Sequence, residues 1–361
     1  MRVETNKIRV LVVDDSAVMR KLISNLLARD DEIEVIATAI DGDFALGKIE
    51  QVKPDVVTLD LEMPRMDGLT TLEHIVTQYR LPVVMLSSFT ERGAAATMQA
   101  LEKGAVDFVC KPKVASQITG LADELISKIK GAARSGVASL NLGLAHAEGK
   151  KAKWQWATSS PGNTQVLAIG ASSGGPHALR YLLPRLPADF AAPILIVQHL
   201  PEAFTAMLAR WLDEMCAIEV KEAEAGELAL PGRAYLAPAR AHMTVKKVTN
   251  GAEIQLQPGA PVNGHMPSVD VLFNAVAESF GAAAMAVILT GMGSDGASGL
   301  GEIRRAGGHT IAQDEASCAV YGMPRVAVQR GGAKHVLALA DIAPHLISRI
   351  GRSSFVEKSH V

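Results

Sequence analysis

Ser172, His199 and Asp295 each follow a short apolar, β-branched run, so each stands where a strand would end. A serine hydroxyl is a weak nucleophile at neutral pH. It needs a neutral imidazole to take its proton and a carboxylate to fix that imidazole's tautomer. Ser172 lies in Gly170-Ala171-Ser172-Ser173-Gly174, between an apolar run and a helical pattern that begins near Pro176. That is the context of a G-x-S-x-G nucleophile elbow, whose glycines let the chain turn sharply and leave the serine exposed. Taken alone, the same turn could bind a phosphate through backbone N–H groups, and a strand-end histidine is commonly structural. The chain order Ser, His, Asp also differs from the Ser, acid, His order of α/β-hydrolases.

A second set of reactive residues lies nearer the start. Asp14-Asp15, Asp60, Ser87 and Lys111-Pro112 also follow or close short apolar runs. In a parallel α/β sheet the strand carboxyl ends share one edge, so scattered residues converge there. Three clustered carboxylates repel one another unless a divalent cation offsets them, and an oxygen-only donor set suits Mg²⁺. A carboxylate held against that metal can accept a phosphoryl group, with Lys111 pairing its oxygens and the Ser87 hydroxyl reporting the modification. The simpler alternative is that each acid only caps the following helix.

Both sets need parallel sheets to position them. Ile8–Val13, Val35–Ala39, Asp55–Leu59, Pro82–Ser87 and Asp107–Cys110 read as strands alternating with helical patterns, a five-stranded doubly wound sheet. Gln165–Ile169, Pro193–Gln198, Ala284–Thr290, His309–Ala312 and His335–Leu339 form a second alternating set. Residues 1–130 and 163–352 are therefore expected as two α/β domains. The Gly-, Ala-, Ser- and Lys-rich stretch 131–162 between them reads as a linker, whose Trp154 and Trp156 suggest packing against a domain. Within the second domain, Ile218–Pro258 reads as an inserted antiparallel flap around the Asn250-Gly251 turn signal.

The whole chain of 361 residues suits two cores better than one. A net charge of -2 with 48% hydrophobic and 20% charged residues gives no global attraction to nucleic acid. No segment is apolar enough to enter a bilayer, since the longest apolar run is Ala282–Thr290, and a cytoplasmic monomer is expected. Cys110, Cys216 and Cys318 are too far apart to form a C-x-x-C pair and read as buried small hydrophobes.

Three strings, V-D-D-S-A-V-M-R at Val13–Arg20, L-D-L-E-M-P-R-M-D-G-L at Leu59–Leu69 and F-V-C-K-P at Phe108–Pro112, resemble a bacterial two-component receiver domain. By position, that resemblance implies Asp60 as phosphoacceptor, and Asp14 and Asp15 with Asp60 as Mg²⁺ acids. Ser87 and Phe108 would be the switch pair and Lys111 the phosphoryl contact. The strings I-G-A-S-S-G-G at Ile169–Gly175, Q-H at Gln198-His199, P-S-V-D-V-L-F at Pro267–Phe273 and L-T-G-M-G-S-D-G-A-x-G-L at Leu289–Leu300 resemble the chemotaxis protein-glutamate methylesterase family, which fuses a receiver in front of its catalytic domain. It implies Ser172 as nucleophile, His199 as general base and acid, and Asp295 as orienter. Ser173 stands beside the nucleophile, and the Met292 N–H would help bind the oxyanion. One departure is Met266, where the family commonly has Arg. His265 and His242 are read as structural or substrate-rim residues.

The implied reaction is hydrolysis of glutamyl methyl esters on chemotaxis receptors, with deamidation of receptor glutamines by the same tetrahedral route, and no cofactor for that step. A chemotaxis histidine kinase is the implied phosphodonor. The unphosphorylated receiver is expected to cover the Ser172 edge and to release it on phosphorylation. Two other outputs compete. An anion-binding module would use Gly170–Gly175 without catalysis, but leaves His199 and Asp295 unexplained; a DNA-binding output lacks a basic recognition helix.

Overall fold

The computed structural model describes residues 7–88, 90–112, 118–144, 165–249 and 251–351. The chain divides into two compact units after Glu148. In the first, strands β1 (Ile8–Val13), β2 (Ile33–Ala39), β3 (Val56–Asp60), β4 (Val83–Ser87) and β5 (Asp107–Cys110) form one sheet in the order β2-β1-β3-β4-β5. Every pairing in it is parallel. Helices α1 (Ala17–Leu27), α2 (Gly42–Val52), α3 (Gly68–His74), α4 (Glu91–Glu102) and α5 (Ile118–Leu144) connect or follow the strands. A sheet covered on both faces needs continuous apolar strands, and β3 and β4 are buried along their whole length. Side-chain caps start four of the helices: Ser16, Asp41, Asp67 and Thr90 accept from Met19, Phe44, Thr70 and Gly93 N–H groups. With this strand order, the crossover direction reverses between β1 and β3, which opens a crevice at their carboxyl ends.

The expected linker start is overtaken by α5, which runs through Gly131 to Leu144. Ala132 is fully buried among Ile23, Leu26, Leu125 and Ile129. Small residues hid this turn, because alanine is a strong helix former but carries too little apolar bulk to mark a periodic face. Trp154 and Trp156 lie outside the described residues.

The second unit holds β6 (Val166–Ala171), β7 (Ile194–Gln198), β8 (Glu219–Glu222), β9 (Leu228–Ala229), β10 (Arg233–Leu236), β11 (His242–Val248), β12 (Gly251–Gln257), β13 (Ala284–Ile288), β14 (His309–Gln313) and β15 (His335–Leu337). Seven of these build a sheet in the order β15-β14-β13-β6-β7-β10-β8, and β11-β12-β9 form a separate three-stranded sheet. Helices α6 (Gly175–Leu182), α7 (Glu202–Asp213), α8 (Val269–Phe280), α9 (Ala297–Arg305), α10 (Met323–Gln329) and α11 (Leu339–Ile350) complete it. Phe273, Val276 and Leu300 from α8 and α9 pack with Val166 and Ala286 of the sheet.

The expected flap over Ile218–Pro258 needs correction. β8 and β10 join the main sheet in parallel, next to β7, and only β9, β11 and β12 are antiparallel. Four-residue strands carry too few residues for their period to show which sheet they enter. Burial of Val220, Ala234, Tyr235 and Leu236 makes that choice. The hairpin itself is present, with Val248 paired to Gly251, so Gly251 is already a strand residue. Among the described residues no helix is long and apolar enough to cross a membrane.

Extension of α5 past residue 131 has a direct consequence. Ala132→Asp should destabilise the first unit by at least about 2 kcal/mol, since it buries an unpaired carboxylate. Denaturant unfolding checks this, and a solvated linker at that position would give no change.

Candidate functional site

At the edge of the first sheet, β1 delivers Asp14 and Asp15, β3 ends in Asp60, β4 ends in Ser87, and Lys111 follows β5. Carboxylate oxygens of Asp14, Asp15 and Asp60 all lie within 4.8 Å of one another. Asp14 and Asp60 are buried while Asp15 is exposed. Lys111 Nζ reaches Asp14 Oδ2 at 2.9 Å and Asp60 Oδ2 at 2.7 Å. Burial pushes the Asp60 carboxyl up to about 6; the neighbouring Asp14 charge adds to this, and Lys111 pulls against both. Three hard oxygen donors with one exposed member fit Mg²⁺, which keeps water and substrate oxygens in its shell.

The two switch candidates sit differently. Ser87 is buried, with its Oγ 2.7 Å from Thr97 Oγ1 on α4, a partner with no local cue in the sequence. Phe108 is buried on β5, opposite Met85, with Lys128 Nζ 5.2 Å from its ring centre.

In the second unit the strand register does the positioning. Ala171 pairs with Gln198 across β6 and β7, so Ser172 and His199 are the next residues on adjacent parallel strands. The Gln198 side chain ties the two together, donating from Nε2 to Ser172 O at 2.8 Å and to His199 O at 3.1 Å. Gly174 takes a φ of +74, and a Cβ there would fall 2.5 Å from Ala319 Cβ, so both conformation and space call for glycine. β13 flanks β6 on the other side, and the loop beyond it carries Met292 and Asp295.

Asp295 is the most heavily bonded carboxylate here. His199 Nε2 lies 2.9 Å from its Oδ2, which also accepts from Val269 N–H at 2.7 Å. Its Oδ1 accepts from Ser268 Oγ at 2.7 Å, Asn263 Nδ2 at 2.9 Å and Asp270 N–H at 3.3 Å. Burial alone would raise its pKa, but the hydrogen bonds from His199, Asn263 and Ser268 more than offset this and hold it well below the ordinary carboxylate range. Asp270 beside it goes the other way, raised by burial and by the charge of Asp295 against the hydrogen bonds it accepts.

His199 Nδ1 is buried and has no hydrogen-bond partner. Ser172 Oγ makes no hydrogen bond to it or to any other protein group among the described residues. His265 stacks on the His199 ring with centres 3.8 Å apart and planes 8° from parallel. Burial and the neighbouring His199 lower the His265 pKa to about 4, against the pull of Asp295. It therefore packs as a neutral ring. His242 is buried and structural: its Nδ1 accepts from Ser268 N–H at 3.1 Å and its Nε2 donates to Ala260 O at 3.0 Å, which fixes the loop beneath Asp295. Ser173 is buried beside Ser172, and Met292 is 37% exposed.

The structure brings Ser172, His199 and Asp295 to one sheet edge, as expected from their strand ends, and adds Asn263, Ser268, Asp270 and Gln198 as hydrogen-bonding neighbours that were not expected. Ser268 and Asp270 lie inside the Pro267–Phe273 string, which was the available signal.

A phosphoacceptor-type sheet joined to a parallel α/β unit with a reactive edge defines a response regulator with an enzymatic output domain. Residues 10–123 match the response regulator receiver domain family, and residues 167–346 match the CheB methylesterase family. Over 350 residues the chain is 51% identical to a protein-glutamate methylesterase/protein-glutamine glutaminase of Koribacter versatilis, spanning 95% of this chain and 96% of that one. Identity is 44% over 343 residues to its counterpart in Syntrophotalea carbinolica, spanning 94% and 97%. The crystal structure of the Thermotoga maritima CheB methylesterase catalytic domain overlays with a TM-score of 0.50 and 40% identity, spanning 51% of this chain and 97% of that one. The chain belongs to the protein-glutamate methylesterase/protein-glutamine glutaminase family.

Two measurements probe the two edges. The folded Asp60 carboxyl binds a proton near pH 6, above its ordinary value of 3.8, so the fold loses stability as pH rises through that window. Mg²⁺ needs the ionised form. Its association constant, followed by calorimetry, should be level above about pH 7 and fall about tenfold per pH unit below about 6; a flat profile from pH 5 to 8 would contradict this. Asn263 has a φ of +54, a conformation glycine takes without strain. Asn263→Gly should keep the backbone yet remove the hydrogen bonds to Asp295 and Asp270 and cut kcat/KM at least about tenfold, since a hydrogen bond to a charged group is worth about 1.5 kcal/mol or more.

Proposed function

We propose that this chain hydrolyses glutamyl methyl esters of chemotaxis receptors and deamidates receptor glutamines, with Ser172 as nucleophile, His199 as base and acid, and Asp295 as orienter. The unpartnered, buried Nδ1 of His199 carries this reading. Asp295 fixes the opposite nitrogen, Nε2, as the N–H, so Nδ1 holds the free lone pair on the side of the ring not taken by the carboxylate. On this reading the Ser172 hydroxyl donates to that atom in the substrate complex, since catalytic hydrogen bonds often tighten only there.

Ser172 Oγ attacks the ester carbonyl while its proton passes to Nδ1. The tetrahedral oxyanion is received by backbone N–H groups of Ser173 and Met292, neither of which donates to a protein acceptor among the described residues. Collapse expels the methoxy group, which leaves as methanol with the proton from Nδ1. A water then gives its proton to Nδ1, attacks the acyl-serine and releases the glutamate and the free hydroxyl. With a glutamine side chain the same steps release ammonia. Asp295 stays ionised throughout and stabilises the imidazolium. His265, neutral and stacked, keeps the imidazole plane fixed without competing for the proton.

Control falls to Asp60, with a chemotaxis histidine kinase as phosphodonor. When bound by Asp14, Asp15 and Asp60, Mg²⁺ supplies charge neutralisation for the incoming phosphoryl group. On this reading Lys111 pairs with the phosphoryl oxygens, and Ser87 with Thr97 registers the new charge through α4. Phe108 is the second member of that switch.

Methanol release from methylated receptor membranes tests the proposal. Wild type should release methanol faster with acetyl phosphate and Mg²⁺, Ser172→Ala should release none, and Asp60→Asn should keep the basal rate without stimulation. Release by Ser172→Ala at the wild-type rate would remove the catalytic assignment and favour an anion-binding role for Gly170–Gly175.

A further inference from the structure

His309, His335 and His345 meet at the end of the seven-stranded sheet opposite to Ser172, His199 and Asp295. His309 opens β14, His335 opens β15, and His345 lies on α11. Because every strand of that sheet is parallel, strand starts and strand ends occupy opposite edges. The three ring centres are 4.7, 5.1 and 5.0 Å apart. One nitrogen from each ring lies within 4.8 Å of the others. His309 Nε2 is 2.8 Å from His345 Nε2, and His335 Nε2 is buried with no hydrogen-bond partner.

We propose that these three imidazoles bind one divalent first-row transition metal ion of the Zn²⁺ type, clipping α11 to the edge strands β14 and β15. Zn²⁺ holds imidazole nitrogens at about 2.0–2.1 Å in a tetrahedron, which sets neighbouring nitrogens about 3.3 Å apart. The observed spacing brackets that value, so ring rotations suffice to close the site. Binding would replace the His309–His345 hydrogen bond and give the orphaned His335 nitrogen a partner, with water in the fourth position. An all-nitrogen donor set disfavours Mg²⁺ and Ca²⁺, which take oxygen.

Charge around the cluster acts in both directions. Burial, with Arg349, the neighbouring imidazoles and Lys334, lowers the His309 pKa to about 4. The His335 and His345 pKa values are also lowered, by burial first and then by the nearby cations. In the His309–His345 hydrogen bond one of the two Nε2 atoms carries the ring proton, so that proton must move to Nδ1 before both rings can ligate. Lys334 and Arg349 also repel a dication, so affinity must come from the coordination bonds themselves.

Calorimetric titration of Zn²⁺ into the untagged, metal-free full chain under saturating Mg²⁺ tests the site. One equivalent should bind to wild type and raise its melting temperature. In His335→Gln and His345→Gln the affinity should fall at least about 100-fold and the melting shift should vanish, while metal-free methanol release stays at the wild-type rate and shows both variants folded. Absence of Zn²⁺ binding by wild type, or equal binding by folded variants, overturns the proposal. If the variants fail to fold, Co²⁺ added to wild type decides instead: a tetrahedral visible band from an imidazole-bound ion supports the site, and a spectrum identical to that of aqueous Co²⁺ overturns it.

Discussion

Everything at the reactive edge of the second unit depends on one buried carboxylate. Asp295 is 1% exposed and accepts from five donors, four of which come from residues 263–270. A carboxylate in that position would be costly without them, and with them it is held ionised. It then orders its surroundings in turn. The Asn263 amide bridges Asp270 and Asp295, the Ser268 hydroxyl both bonds Asp295 and caps α8, and His199 is left with one possible tautomer. The loop that carries Asp295, the start of a core helix and the His199 imidazole are thus fixed by the same charge.

The two units solve a shared problem in opposite directions. Each buries a carboxylate at the carboxyl edge of a parallel sheet. Asp60 receives a single backbone donor and shares Lys111 with Asp14, so burial wins and its proton is held more tightly. Asp295 receives five donors, and the proton is released. In the roles proposed for them, Asp60 gains from being incompletely satisfied, since it would take up a metal and a phosphoryl group, and Asp295 gains from saturation, since it would stay ionised. The number and kind of donors decides the outcome, since both residues are almost fully buried.

Much of this was legible in the sequence because parallel strands write their ends plainly. β1, β3, β4 and β5 end within a residue of where apolar runs stop, and Asp60, Lys111, Ser172, His199 and Asp295 follow from those ends and from the family strings. What stayed hidden lacked local contrast. The stretch of α5 from residue 131 to 139 is rich in alanine, glycine and serine, β8 and β10 are four residues each, and Thr97 is one threonine on an ordinary helix. Asn263 and Gln198 act through long-range side-chain contacts that no spacing announces. The His309, His335 and His345 cluster is assembled by the packing of α11 on two edge strands, over separations too large for a ligand motif.

If Asp295 fixes His199 with its proton on Nε2, Nδ1 is left as the base. Nitrogen-15 NMR of ring-labelled full chain near pH 8 reads this directly. Nε2 should be protonated with a low-field N–H signal and Nδ1 unprotonated, and that signal should be lost in Asp295→Ala. A His199 carrying its proton on Nδ1 in the resting protein would contradict it, because that nitrogen could not then receive the proton of Ser172.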